Sequence, residues 1–265
     1  TNKKASMRSL KNALRFGNKL MVAWVNRPNH NLPVEETWQN FIRSNGGQVI
    51  SDKLGTSPNF YNADFLFTED KIVLELKEIQ TEFLDKKLKE LQILLEKYKI
   101  DSFKTYEIEN VPKEFVIEYT KLVKPAIDRI LKKANKQIKE TKAYYGINEN
   151  SGILILVNDG FTAMNFDLIL SLIARTLTHS YSSIDAFILM TVNSYVALKN
   201  SPVPSLMWTP LYSDKVDKNL HIFVNDLGRK WREYIESLTG KFDVSYETDD
   251  GNFIQNSVYM KQILD

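Results

Sequence analysis

Apolar positions change their period several times along the chain, and each change marks an element. Met7, Leu10 and Leu14 predict a short helix that stops near Gly17, and Leu20–Val25 is an apolar run too short to assign to helix or strand. Asn31–Pro33 signal a helix start, because proline suits a first turn whose N–H has no intrahelical partner. Val34, Trp38, Phe41 and Ile42 then recur at helical spacing, predicting a helix over 33–44 that Asn45-Gly46-Gly47 stops. Gln48–Ser51 reads as a short strand and Gly55–Asn59 as a loop. Residues 63–68 and 71–77 read as two strands joined by Glu69-Asp70, a hairpin.

Residues 80–145 are helical in pattern. Leu84, Leu88, Leu91, Leu95 and Tyr98 form one stripe, and Asp101–Asn110 interrupts it. A second stretch starts near Pro112, is kinked or restarted by Pro125, and carries Ile127, Ile130, Leu131, Ala134, Ile138 and Tyr145 on one side. Gly146–Ser151 ends it. Residues 152–157 are a continuous apolar run, as in a strand buried on both faces, Ile184–Val192 reads as another buried strand, and a helix over 164–177 lies between them. After Ser201 three prolines mark an irregular connection. His221–Val224 then reads as a strand, Gly228–Leu238 as an amphipathic helix, and Phe242–Tyr246 and Phe253–Tyr259 as edge strands. The segments ILVNDG (155–160) and IFVNDLG (222–228) echo one another, and Asn-Asp as a helix cap after a strand accounts for the echo better than a repeat.

This order predicts an α/β layer fold with a central mixed sheet flanked by helices. Three segments follow: a basic N-terminal helix or arm over 1–30, a core over 31–200, and a C-terminal α/β extension over 201–265 that packs on the core or mediates dimerisation.

Composition removes several chemistries. The 265 residues are 43% hydrophobic and 26% charged, a globular mix rather than a disordered one. No apolar run approaches a membrane span, and the expected location is cytoplasmic with no membrane partner. There is no cysteine, which excludes disulfides and thiol catalysis, and the three histidines are scattered. The net charge of +2 names no partner, but its distribution does. Residues 1–34 carry seven basic side chains and no acid. A nucleic-acid-binding arm, a transit peptide and a solvated amphipathic helix all fit that segment. From Lys121 to Lys142 eight basic residues face two acids. Arg129, Lys132, Lys136 and Lys139 form a stripe opposite the apolar one, suited either to a phosphate backbone or to solvent.

The hairpin carries the candidate chemistry. A turn at Glu69-Asp70 pairs Phe67 with Ile72, Leu66 with Val73, Phe65 with Leu74 and Asp64 with Glu75. Alternation then puts Phe65, Phe67, Ile72, Leu74 and Leu76 on one face and Asp64, Leu66, Val73, Glu75 and Lys77 on the other. Two carboxylates opposite each other repel, and a divalent cation relieves the repulsion. Oxygen donors without histidine or sulfur favour Mg²⁺ or Mn²⁺, and metal, carboxylates and lysine together suit phosphodiester hydrolysis. The plainer alternative is that Lys77 neutralises Glu75 at a strand end while Asp64 sits in solvent.

Asp64, ten intervening residues and Glu75-Leu76-Lys77 resemble the PD-(D/E)XK nuclease superfamily, which includes many restriction endonucleases. The element order over 33–192 is similar to that superfamily's core, although Asn62-Ala63 replaces the proline before the aspartate. The resemblance implies a restriction-endonuclease-like core in which Asp64 and Glu75 ligate Mg²⁺ or Mn²⁺ and Lys77 assists the attacking water. VEETWQNFIRSNGG (34–47) is similar to the first core helix of members with a further acid, which points to Glu35; an acid favourable at a helix N-terminus is the alternative. The resemblance makes 80–145 largely an insertion, suggests Lys133 and Gln137 as further nucleic-acid contacts, and implies an endonuclease on DNA rather than RNA, in restriction, phage defence, or DNA repair or mobility. A catalytically inactive module binding nucleic acid or a protein partner, and a helical interaction protein built on 80–145, are the rival functions.

Overall fold

The computed structural model describes residues 30–55, 58–79, 87–100, 111–147, 151–159, 166–198, 204–243, 245, 247 and 258–261. The expected N-terminal helix, the run Leu20–Val25, the basic arm, the interruption at 101–110 and most of Phe253–Tyr259 lie outside the described residues. The elements in order are α1 (Val34–Ser44), β1 (Gln48–Val49), α2 (Ile50–Leu54), β2 (Phe65–Phe67), β3 (Ile72–Ile79), α3 (Leu88–Lys97), α4 (Lys113–Tyr145), β4 (Gly152–Asn158), α5 (Phe166–Ser180), β5 (Ala186–Met190), β6 (Ser194–Ala197), β7 (Trp208–Tyr212), α6 (Lys218–Thr239) and β8 (Val258–Lys261).

Six strands form one open mixed sheet in the order β1-β2-β3-β4-β5-β7, and β6 and β8 form a separate antiparallel pair. β2 is antiparallel to β1 and β3, β3, β4 and β5 run parallel, and β7 closes the far edge antiparallel to β5. The result is α/β, with helices on both faces. One face packs Leu66, Val73, Leu154 and Leu156 against Ile127, Leu131, Ala134 and Ile138 of α4. The other packs Phe65, Leu74, Ile153 and Ile155 against Val34, Trp38 and Ile42 of α1 and Val224, Leu227 and Trp231 of α6. β4 is buried along its whole length, as its unbroken apolar run requires.

Several expected elements are corrected. The strand at Gln48–Ser51 ends at Val49, because Ile50 turns into the core and its N–H bonds the Asp64 carbonyl at 2.9 Å. The stretch 80–145 is not mainly an insertion: α4 is the crossover that joins parallel β3 to β4, and its apolar stripe covers the sheet. Pro125 does not restart the helix, which runs from Lys113 to Tyr145. Proline costs about 3 kcal/mol inside a helix, but Tyr119 and Val123 before it and Ile127 and Leu131 after it continue one buried stripe, and Pro125 itself faces solvent. His221–Val224 is helical, within α6. Asp217 caps that helix by accepting the Leu220 N–H at 3.0 Å, Leu220, Val224, Leu227, Trp231 and Ile235 form its buried stripe, and Ile222 is left 55% exposed on the opposite side. β7 was hidden by Pro210, which is tolerated because β7 is an edge strand. The 201–265 segment thus supplies an edge strand and a covering helix to the main sheet. No helix among the described residues is long and apolar enough to cross a membrane.

Trp38 stacks on Trp231 at 4.2 Å between ring centroids and lies 6.3 Å from Trp208. Gly228 lets α6 approach this cluster: a Cβ there would stand 2.7 Å from the Trp208 indole nitrogen. Gly228→Ala is therefore expected to lose about 1–3 kcal/mol by overpacking, measured by urea unfolding followed through tryptophan fluorescence; unchanged stability would mean that the indole moves aside freely.

Candidate active site

The hairpin pairs as its alternation requires: Phe65 opposite Leu74, Leu66 opposite Val73, Phe67 opposite Ile72. Lys71 supplies the turn's positive φ of 57°. β3 is longer than β2, so from Glu75 onward its β2 side is open while its other side stays bonded to β4 as far as Ile79. The chain entering β2 is held away by α4. Glu140 accepts the Tyr61 N–H at 2.7 Å, Gln137 Nε2 donates to the Asn62 carbonyl at 2.9 Å, and Thr141 Oγ1 accepts the Ala63 N–H at 2.7 Å. Asp64 Oδ2 then takes the Leu76 N–H at 2.8 Å, filling the place of a ladder bond with a carboxylate.

Asp64, Glu75 and Lys77 meet in that opening. Glu75 is fully buried, Asp64 is half-buried, and the Lys77 side chain keeps 20% of its surface exposed. Lys77 Nζ donates to Glu75 Oε1. The other Glu75 oxygen, Oε2, is buried and meets no donor. The Asp64 carboxyl stands within hydrogen-bonding reach of Glu75. Two ionised carboxylates are acceptors only, so this contact is stable when a proton or a cation lies between them.

Burial raises the Asp64 carboxyl above its usual range, against the opposing pull of Lys77 and the Leu76 N–H. Glu75 is pushed well above the usual range, first by burial and then by the Asp64 charge, with Lys77 only partly compensating. The site therefore holds more acid than its ammonium can balance.

A cleft of about 210 Å³ opens onto Asp64 and Lys77, lined also by Glu35, Gln39, Asn62 and Glu78; Glu75 is buried beside them and is not part of its lining. Glu35, on the first turn of α1, reaches the same cleft; it accepts the Gln39 amide at 3.3 Å, and its charge adds to the rise at Asp64. Among the described residues no three His, Cys, Asp or Glu side chains draw close enough to form a ready metal cage. Glu35 thus stands on the wall of the cleft and the buried pair is Asp64 with Glu75. The donor set, two carboxylates with one oxygen orphaned, fits a hard divalent cation such as Mg²⁺ or Mn²⁺. Glu78 was not singled out from sequence, since strict alternation sends it to the opposite face from Lys77; the cleft exposes both because it opens at the sheet's end.

The basic stripe lies on the outer face of α4. Arg129, Lys132, Lys133, Lys136 and Lys139 are exposed. Lys136 stands 3.6 Å over the Tyr61 ring and 3.7 Å from Glu140. Gln137 is bonded to the main chain before Asp64, so it positions that aspartate. Lys142, the last of the eight basic residues, lies apart from the stripe: it is buried and pairs with Asp185 at 2.8 Å. Among the described residues Asp159 tethers a loop rather than a helix end. Its carboxylate accepts the N–H groups of Val192, Asn193 and Ser194 at 2.9, 2.8 and 3.2 Å, and burial pushes its pKa up to about 6.

Raised carboxyls mean that the unfolded chain gives up protons first as pH rises. Folding stability from these groups therefore falls with pH from the ordinary carboxylate range up to their raised values. Glu75→Gln keeps an acceptor for Lys77 and gains a donor for Asp64. Thermal melts near neutral pH should show the variant more stable than wild type, by roughly 2–4 °C for each kcal/mol of repulsion removed, with a shallower fall from mildly acidic pH. Mg²⁺ should raise the midpoint of wild type and leave the variant unmoved; equal shifts would place the cation elsewhere.

No protein-family model matches the chain, and no curated protein or solved structure is significantly similar to it.

Proposed function

We propose that the chain is a divalent-metal-dependent nuclease of the PD-(D/E)XK type, hydrolysing phosphodiester bonds in DNA. The observation that carries this reading is the meeting of Asp64, Glu75 and Lys77 where β2 parts from β3, with a buried Glu75 oxygen that no protein donor satisfies. The order α1, β1, α2, β2–β3 hairpin, α3, α4, β4, α5, β5 contains the helix–hairpin–helix–strand–helix–strand succession of a restriction-endonuclease-like core and supports that reading, and restriction or phage defence is a role such an enzyme would fit.

Asp64 and Glu75 would hold Mg²⁺ or Mn²⁺, with Glu35 on the wall of the cleft that Asp64 also lines. Such an ion, when bound, polarises a phosphate oxygen and lowers the pKa of water. Glu75 must lose its proton to serve as a ligand, so activity should rise with pH through its raised range. Lys77, once its bond to Glu75 loosens, presents an ammonium that orients a water or stabilises charge on the phosphate. Gln137, Glu140 and Thr141 keep Asp64 in place. The exposed Arg129, Lys132, Lys133, Lys136 and Lys139 would contact phosphates, and a homodimer would bring two such sites to opposite strands.

Two observations favour a second reading, a nucleic-acid-binding module without hydrolysis: Lys77 is paired with Glu75, and among the described residues no third acid joins the cluster. Incubation of supercoiled plasmid with Mg²⁺, Mn²⁺ or EDTA separates the two. Wild type should nick or linearise it with metal only, and Lys77→Ala should be slower by about 10²–10³-fold, the usual worth of a preorganised charge-stabilising donor. Cleavage unchanged in Lys77→Ala would remove the assignment, and binding without cleavage would favour the second reading.

A further inference from the structure

Two aromatic side chains stand out on the surface. Tyr61 is 53% exposed and Tyr144 is 55% exposed, and no other aromatic side chain among the described residues is classed as exposed. Tyr61 directly precedes Asn62, which lines the cleft, and Tyr144 is tied to the same segment through Phe60. Phe60 stacks on Tyr144 with ring centroids 4.6 Å apart and planes 18° apart, and Tyr61 follows Phe60 directly. Tyr61 is three residues before Asp64, on the segment that α4 clamps.

The charge around these rings is positive. Lys132, Lys136, Glu140 and Tyr144 are spaced four apart on α4 and so share one side of it. The acid in that row is already engaged, by the Tyr61 N–H and by Lys136. Lys132, Lys133 and Lys139 remain exposed beside it. Lys132 to Tyr144 spans ~18 Å of helix at 1.5 Å per residue. Exposed rings beside a cationic track suit a polyanion that carries flat apolar faces: aromatic side chains stack with bases whatever their sequence, while lysines follow the backbone. In a duplex those faces are already stacked.

We propose that Phe60, Tyr61 and Tyr144, with Lys136, form a stacking platform for unpaired bases, so that the strand entering the cleft is single-stranded where it passes Asp64. The proposal rests on the reading of the cleft as a phosphodiester site, and it adds the strand state of the substrate.

Fluorescence anisotropy with labelled oligonucleotides in EDTA tests it, using single-stranded DNA, single-stranded RNA and duplex DNA. Tyr61→Ala and Tyr144→Ala should each weaken single-strand binding about tenfold, and should change duplex binding little. Tyr144→Phe keeps the ring and should bind like wild type, which separates lost stacking from a damaged fold. Lys136→Gln should weaken binding and reduce its salt dependence. Alanine variants that bind single strands as tightly as wild type would overturn the proposal, as would equal losses on duplex and single strand, or a wild type that binds no single strand. The same preparations, given Mg²⁺, keep the two ideas apart. Cleavage by wild type with ring-independent binding sinks only the platform; ring-dependent binding without cleavage sinks only the nuclease.

Discussion

Two carboxyl groups share one lysine at a place where water is largely excluded, and the local architecture is arranged around that imbalance. Glu75 sits in the middle of a buried strand with Asp64 beside it, so one negative charge has no protein counterpart. Removing a charge from water costs several kcal/mol even after relaxation. A proton held by Glu75 is the protein's own remedy, and a divalent cation is the alternative that would let both acids ionise. The raised carboxyls, the orphaned oxygen and the adjoining cleft all follow from the same contact.

That contact exists because α4 has two uses. Its apolar stripe covers the sheet between β3 and β4. Near its C-terminal end, Gln137, Glu140 and Thr141 hold residues 61–63 off the ladder, and Lys142 anchors the helix to Asp185, whose carboxylate also accepts the Ser151 and Gly152 N–H groups at 2.9 and 2.8 Å. Residues 61–63 bond to this polar ledge, and the Leu76 N–H is taken by the Asp64 carboxylate.

Most of this was legible where periodicity is strict. The hairpin register followed from a two-residue turn and alternation, and the face shared by Asp64, Glu75 and Lys77 followed from the register. The helix carrying Glu35 was equally plain in Val34, Trp38, Phe41 and Ile42. Reading failed where tertiary packing decides. His221–Val224 looks like a strand as a short apolar run, but Asp217 and the spacing from Leu220 to Ile235 make it helix. Pro125 looks like a breaker until its neighbours are seen buried against the sheet. The uses of Gln137 and Asp159 depend on main-chain groups 75 and 33 or more residues away, which no local pattern carries.

The most direct measurement is anomalous diffraction from crystals grown with Mn²⁺ at alkaline pH. The account predicts a manganese peak in contact with the Asp64 and Glu75 carboxylates, with the lysine ammonium displaced from Glu75 toward the cleft. Crystals in which those two carboxyls remain joined to each other, with no manganese between them, would contradict it.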